Sequence, residues 1–396
     1  MRQTVCGLLI VLFLVTMVLL RWGPVLWWGG SQYSFDRQGV TATAHRDGDI
    51  LADAENVEVD NAYGKVRVEV ADGTPGWSWD LTCWAKTVQT AEHFTQQIEM
   101  RVDQQPGRSS WRLVLPNPPT PELRGVDSKL TLRVPASAKV NVRNRYADTE
   151  IAGVQGETRA RCEYGKLLLE GLGGIVDAET SYAPLNAQRI RGGRLANTHN
   201  SITATDVGGD LEARAMYGEV NVHRVAGNLK VNSRYGKVTV SKIAGPLEIE
   251  AHFADVQLDE IDGNSRVRTR HGKISGQHLR GNVDARNEYN TIDLDVNCAE
   301  VVCHNQHGKI ELHLADPKLR LVRAETAFAD LELSVSESLS PKIEAQSRNG
   351  SIKSELPVYA METGTDNFQG LDAGVPRVTL KNEHGSIRIR KTAQGG

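Results

Sequence analysis

The chain has 396 residues, with 46 Lys and Arg against 49 Asp and Glu, for a formal charge of −3. That balance excludes a dedicated nucleic-acid binder, which needs a basic excess on one surface, and a hydrophobic content of 40% excludes global disorder. All seven Trp residues (Trp22, Trp27, Trp28, Trp77, Trp79, Trp84 and Trp111) lie in the first 111 positions, so the chain changes in kind beyond them.

In chain order, the first element is the run Cys6–Leu20, apolar except for Gly7 and Thr16 and bracketed by Arg2 and Arg21. It is short for a spanning helix and long for a signal-peptide core. No small-x-small cleavage site follows, and the stretch Trp22–Trp28 suits a membrane interface. Residues 1–30 are therefore read as a membrane anchor or signal segment, an uncleaved anchor being preferred. Either reading exports the rest of the chain to an extracytoplasmic, cell-envelope location. The five cysteines (Cys6, Cys83, Cys162, Cys298 and Cys303) are odd in number and irregularly spaced, so they form neither a disulfide framework nor a metal site.

Residues 31–125 are expected to form a Trp-containing, mostly antiparallel β cap. Strands are predicted over 56–70 around Tyr63, then 77–87, 98–102 and 111–115. One short helix follows Thr90, its possible cap. The run Pro116–Pro121 reads as a stiff connector.

From 126 to 396 a short mark recurs: a ring, then a small residue, then a polar or charged one. The rings are Tyr146, Tyr164, Tyr182, His199, Tyr217, Tyr235, Phe253, His271, Tyr289 and His307, at intervals of 17 or 18. Looser copies stand at Phe328, Asn349 and His384, with an isolated early one at Tyr63. Each ring is flanked by stretches of period two, which means strands. Equivalent positions fill columns: Val220, Val238, Val256, Ile274, Ile292 and Ile310 in one; Val222, Val240, Leu258, Leu294 and Leu312 in a second, with Gly276 as its gap; Val225, Ile243, Ile261 and Leu279 in a third. A lone unit of this size cannot offset the entropy of ordering it, so neighbours must share ladders and core. The predicted fold is all-β, a β-solenoid of about 18 residues per repeat, parallel β-helix-like. The aliphatic spacings of 2, 3, 4 and 2 from Val238 to Ile249 do not fit a hexapeptide helix. An alternation between aromatic and His-rich ring positions would instead suit a 36-residue coil.

The ring shares parity with the inward residues before it, so it is expected to plug a corner of the core. The alternative is an exposed ladder that stacks on sugars, and the candidate residues are Tyr146, Tyr164, Tyr182, Tyr217, Tyr235, Phe253, His271, Tyr289 and His307. The residue two places after the ring mostly alternates in sign (Asp148, Lys166, Glu219, Lys237, Asp255, Lys273), which predicts cross-strand ion pairs. Cys162 and Cys303 fall in inward columns and should be inert. Residues 357–376 read as an insertion, and Val378 to Lys391 as a final coil whose Arg388, Arg390 and Lys391 blunt the terminal edge.

The stretch from Leu130 through Val134-Pro135 to Val142, running into Tyr146 and the Gly-marked repeats, resembles the bacterial putative-adhesin family over about 50–390. The resemblance implies an extracytoplasmic β-solenoid, surface adhesion or envelope association, and no catalytic motif. The expected function is thus a non-enzymatic cell-envelope protein presenting a solenoid surface for adhesion, scaffolding or envelope sensing. Its expected partners are the membrane through the N-terminal segment, and an envelope protein, a glycan or another copy of itself; no nucleic acid, metal or cofactor is expected. The alternative is a polysaccharide-acting β-helix enzyme, which needs converging acids. Its candidates are Asp255, Asp259, Glu260, Asp293 and Asp295.

Overall fold

A computed structural model describes residues 39–115, 122–360 and 375–392. The proposed anchor at 1–30, the connector 116–121 and most of the insertion, 361–374, lie outside the described residues. No helix among the described residues is long and apolar enough to cross a membrane.

The chain builds two long, mostly parallel sheets, solenoid-like, whose inward faces share one core. Each coil lays one strand in each sheet. Along the central run, partners in neighbouring strands are 18 residues apart: Val220 pairs with Val238, which pairs with Val256, and Leu229 pairs with Leu247. One coil is a residue shorter, so Val176 to Gly193 and Leu185 to Ile202 are each 17. The coil is therefore 18 residues and not 36, and the three predicted columns are the register itself. At Gly276 the gap in the second column is filled by its neighbours: an added Cβ would lie 2.9 Å from Leu279 Cδ1 and 3.0 Å from Leu294 Cδ2.

The irregular spacing within a coil has a backbone cause. Arg189, Asp206, Arg224, Lys242, Glu260 and His278 all adopt φ between 52° and 58°. In that left-handed conformation the residue adds one position to the strand and stays outside. The next residue (Ile190, Val207, Val225, Ile243, Ile261 or Leu279) then turns inward and is buried. The spacing of three between Val240 and Ile243 is this bulge. The glycines that follow it allow coils to touch: an added Cβ on Gly263 would lie 2.0 Å from Gly245 O, and one on Gly281 would lie 2.2 Å from Gly263 O.

At the N-terminal end, β1 (Val40–Asp49), β4 (Gly76–Ala85) and β7 (Leu123–Val134) run antiparallel to one another in order β1–β4–β7. In the other sheet β5 (Glu99–Gln105) pairs antiparallel with β6 (Arg108–Val114). The helix α1 (Val88–Gln97) buries Ala91, Phe94 and Thr95. Its cap is Thr87 rather than Thr90, because the Thr87 hydroxyl accepts from Thr90 N at 3.2 Å. Trp79 and Trp111 are fully buried here, and Trp79 Nε1 donates to Ser128 Oγ at 2.9 Å.

Cap and solenoid interlock. β2 (Asn56–Asn61) lies between β6 and β8 (Lys139–Asn144), and β3 (Lys65–Val70) between β7 and β9 (Thr149–Ala152), all parallel. The first coil in sequence is thus the second in space. The far end repeats the device. Strand Arg377–Asn382 sits between Leu321–Thr326 and Lys342–Ser347, and Ile387–Thr392 sits between Leu331–Ser336 and Ile352–Ser354. The expectation that Arg388, Arg390 and Lys391 guard a terminal edge is corrected, because this coil is interior. Arg388 Nη1 donates to Glu332 Oε1 of the preceding coil at 2.9 Å.

Candidate functional site: a ring ladder and two unlike faces

At the corner where each coil passes from one sheet to the other, the rings form one unbroken stack of thirteen. In spatial order it runs Tyr63, Tyr146, Tyr164, Tyr182, His199, Tyr217, Tyr235, Phe253, His271, Tyr289, His307, Phe328 and His384. Successive centroids are 4.5 to 5.3 Å apart, with planes within 18° of parallel. All nine candidate residues belong to it. The isolated Tyr63 joins because β2 is intercalated, and Asn349 ends it, with Nδ2 3.3 Å from His384 Nδ1.

The rings do not plug the core. Tyr146, Tyr164, Tyr182, Tyr217, Phe253, Tyr289 and Phe328 are each 47 to 53% exposed. Inward parity ends one position earlier than expected, because the chain bends after the residue two places before the ring. That residue is the true corner filler, and it is small: Cys162, Thr180, Ser233 and Ala251, for example, or one of six asparagines. Asn144 Nδ2 donates to Ala147 O at 2.8 Å and Gly64 O at 3.1 Å. Asn287 Nδ2 donates to Gly272 O and Asn290 O, both at 2.8 Å. In Asn382, Nδ2 donates to Ala329 O while Oδ1 accepts from His384 N and Gly385 N. These amides satisfy turn groups that no strand ladder reaches. The signal was present in the sequence as Asn61, Asn144, Asn197, Asn287, Asn305 and Asn382, each two places before a ring.

Stacking also redefines what the ladder can bind. Each ring spends both faces on its neighbours, so a sugar cannot stack on them along its length. What solvent meets is a row of ring edges carrying tyrosine hydroxyls and imidazole nitrogens at strand spacing. No two histidines adjoin: His199 stands between Tyr182 and Tyr217, and His271 between Phe253 and Tyr289. The alternation along the chain is therefore an order within one stack. Guanidinium groups lie 5.8 Å from the Tyr146 centroid (Arg145) and 5.7 Å from that of Tyr235 (Arg234).

The charged column beyond the rings differs from its expected pairing. Asp255 Oδ1 accepts from Lys273 N at 2.7 Å and Asp148 Oδ1 from Lys166 N at 2.9 Å, so the short carboxylate caps the backbone of the next coil. The longer lysines reach elsewhere. Lys273 Nζ lies 2.8 Å from Asp293 Oδ2, and Lys309 bonds Glu311 and Glu332. Asp293, an acid considered for catalysis, is thus held by Lys273. Asp259 is bonded to His278 Nδ1 at 2.9 Å and Glu260 pairs with Lys242.

The outer faces of the two sheets are chemically unlike. Over six consecutive strands of the first sheet, from Leu185–Ile190 to Ile274–Leu279, one outward column reads Asn186, Thr203, Asn221, Thr239, Gln257, Ser275. The other reads Gln188, Thr205, His223, Ser241, Asp259, Gln277. One of these twelve, Asp259, is an acid or a base of the Lys and Arg kind, but the bulge adds a third outward column beside them, Arg189, Asp206, Arg224, Lys242, Glu260 and His278, whose members pair between coils, as Arg224 does with Asp206. Over the facing strands of the second sheet the columns read Arg194, Glu212, Lys230, Glu248, Arg266, Asp284 and Ala196, Arg214, Asn232, Glu250, Arg268, Arg286. Ten of those twelve are charged, and several pair along the column, such as Lys230 with Glu248 at 3.2 Å. A shallow groove of about 590 Å³ runs along this charged face past Lys230, Glu248, Arg266 and Asp284.

The free thiols among the described residues are buried. Desolvation pushes Cys83 up to about 12 and Cys298 up to about 11, and raises Cys162 and Cys303 as well. None is a poised nucleophile.

This stacking of near-identical coils has a counterpart among known proteins: the family model Toastrack DUF4097 matches residues 86–390. The chain belongs to the toastrack DUF4097 family. Solved structures resemble this toastrack protein only remotely. One is a putative cell adhesion protein from Clostridium sporogenes ATCC 15579, with 9% identity, 89% of this chain and 100% of that chain covered, and a TM-score of 0.18. A putative adhesin from Parabacteroides distasonis ATCC 8503 has 11% identity, 90% and 98% coverage and a TM-score of 0.20. A putative lipid binding protein from the same organism has 9% identity, 88% and 96% coverage and a TM-score of 0.25. No curated protein matches the sequence.

Proposed function

We propose that this toastrack protein is a non-enzymatic cell-envelope protein, held at the membrane by residues 1–30, whose solenoid is a rigid surface for adhesion. The observation that carries this reading is the repetition of every exposed feature at coil spacing. The ring edges, the neutral columns and the charged columns are all periodic arrays along one axis. Such an array meets an extended or repetitive partner through many weak contacts, whereas a catalyst needs singular groups converging on one reacting bond. Scaffolding and envelope sensing would use the same surface. The apolar run Cys6–Leu20 supports export.

The test uses the full-length chain in its host. It should fractionate with membranes and be cut by protease added outside the cytoplasmic membrane, and beads coated with it should bind isolated envelopes. Recovery in the soluble cytosol would refute the location. Glycan turnover lost on Asp293→Asn or Asp295→Asn would refute the non-enzymatic reading.

A further inference from the structure

We infer that the charged outer face of the second sheet is a self-association surface, and that its occupant is a second copy of this chain. The two copies lie face to face and antiparallel, about a twofold axis that runs along the strands between Glu212 and Lys230. This deepens the adhesive reading and rests on it only in taking the solenoid surface as what binds.

One column carries the pattern. From Arg159 to Asp284, eight successive strands place a charge at the first outward position, and the sign alternates at every step. The neutral Asn141 and Val302 stand at its two ends. An alternating row with an even number of members is its own complement when reversed. A copy turned about the twofold axis sets Arg159 against Asp284, Asp177 against Arg266, Arg194 against Glu248 and Glu212 against Lys230. Each couple occurs twice, as a twofold interface requires, and Asn141 meets Val302.

Pairing inside one chain does not account for the alternation. Of the seven neighbouring couples along the column, two are ion pairs, Lys230 with Glu248 at 3.2 Å and Arg266 with Asp284 at 3.8 Å. Arg159 bonds Glu157 and Glu212 bonds Arg214, each two places along its own chain segment, and Asp177 takes Arg161 diagonally. Arg194 is exposed and has no ion pair among the described residues.

The neighbouring columns fit the same operation. Glu179 meets Arg268, Ala196 meets Glu250 and Arg214 meets Asn232. Two couples of like charge, Arg161 with Arg286 and Glu163 with Glu288, fall at the ends. There each member is already bonded to an opposite charge of its own chain. The other twofold arrangement, with its axis along the solenoid, sets the first column against the second at equal height. It opposes Arg159 to Arg161, Asp177 to Glu179, Glu248 to Glu250 and Arg266 to Arg268, four couples of like sign against two of opposite sign, so charge selects the antiparallel pair.

Relief and extent agree with charge. Ile175, 54% exposed beside the Asp177 strand, is carried over the partner's groove at Pro246 and Asn264. Eight strands at ~4.8 Å and four outward columns at ~6.7 Å cover roughly 700 Å² on each copy, close to the about 800 Å² of a standard stable interface. A polymer of one sign would be repelled at every second step of this row. A neutral ligand would strip water from eight ions and pair none of them.

The test is sedimentation velocity of the full-length, detergent-solubilised chain at low salt, beside the variants Arg194→Glu and Glu248→Arg, with Lys237→Glu on the other sheet as control. Wild type is expected to dimerise and to dissociate at about 1 M salt. Each of the first two reversals makes both symmetry-related contacts repulsive. It should weaken dimerisation about a hundredfold, tenfold per contact, while the control leaves it unchanged. Mixing the two weakened variants should restore association, because each then meets opposite charge on the other at both contacts. A fault of folding within one chain cannot produce that rescue. A monomeric wild type, reversals that dimerise like wild type, equal loss in the control, a mixture that stays monomeric, or a dimer indifferent to salt would overturn the inference. If wild type is monomeric while coated beads still bind envelopes, this face is wrong and adhesion stands. If it dimerises as described and the beads bind nothing, self-association stands and adhesion falls; if neither occurs, both fall.

Discussion

Substituting Gly263 by Ala tests the claim that coil spacing is set by backbone contact at the glycine corner. An ideal Cβ there would lie 2.0 Å from Gly245 O, 2.3 Å from Gly245 C and 2.7 Å from Pro246 N. The obstacle is backbone, which cannot swing away, so the coils must part by about 1 Å to reach even a tight carbon–oxygen contact. Two ladder bonds flank the site, Asp262 N to Ile243 O and Leu247 N to Asn264 O, both 2.8 Å. Stretched by about 1 Å, both pass beyond hydrogen-bonding distance. Asp262 and Asn264 are exposed, so water takes over part of each broken bond and the net loss is about 0.5–1.5 kcal/mol per bond, to which the strain of parting the coils adds. The expected destabilisation is about 2–4 kcal/mol by equilibrium urea unfolding. Hydrogen exchange should accelerate around 244–247 and 262–265, because repeat proteins feel damage through nearest-neighbour interfaces. Gly73 is the control: an added Cβ meets nothing within 4 Å, so Gly73→Ala should be neutral or slightly stabilising. If Gly263→Ala falls within about 0.5 kcal/mol of wild type, where uneventful surface changes lie, the contact does not set the spacing.

Three further outcomes are expected. Tyr217→Ala removes a ring stacked on both His199 and Tyr235, at 5.3 and 5.2 Å. It should lower stability by about 1–2 kcal/mol while Tyr217→Phe stays near wild type, measured by thermal unfolding, since each aromatic pair contributes about 0.5–1.5; equal effects of the two would place the contribution in the hydroxyl. Lys242→Gly relieves a left-handed residue at φ 58° and gives up only an exposed pair with Glu260 at 3.8 Å. A gain of about 0.5–1 kcal/mol in urea unfolding is expected, the left-handed penalty less the entropy of glycine; destabilisation would show the bulge is not strained. Glu332 is held below its usual 4.5 by its hydrogen bond to Lys309 and, with burial opposing, by Arg388. A depressed carboxylate stabilises above the unfolded value and stops doing so as pH falls through the folded one. Amides of Ile387–Thr392 should therefore exchange faster as pH drops below about 4.5, beyond the intrinsic pH effect, and Glu332→Gln should abolish that dependence.

Much of the architecture was legible because it is written as a period. The columns through Val220, Val222 and Val225 name their ladder partners directly, since stacked coils put equivalent residues one strand apart and only an apolar side chain can repeat inward. Ring ladder membership was legible for the same reason, down to all nine candidate positions. The side on which the rings stand was not. Parity along Leu229, Val231 and Ser233 points Tyr235 inward, yet the bend after Ser233 turns it out, and a bend leaves no mark in an alternating pattern. The bulge at Lys242 was visible only as an unexplained spacing of three. Tyr63 stands isolated in the sequence and the coil from Val378 to Lys391 stands last in it, because sequence order and spatial order differ at both ends. Intercalation of a coil at each end is a choice among distant partners of equal register, which local pattern cannot rank. Composition and period thus determined a solenoid with an 18-residue coil. Only the folded chain decided which coil lies where, which edge of the rings meets water, and which outward columns gather charge, because each depends on the pairing of strands far apart in sequence.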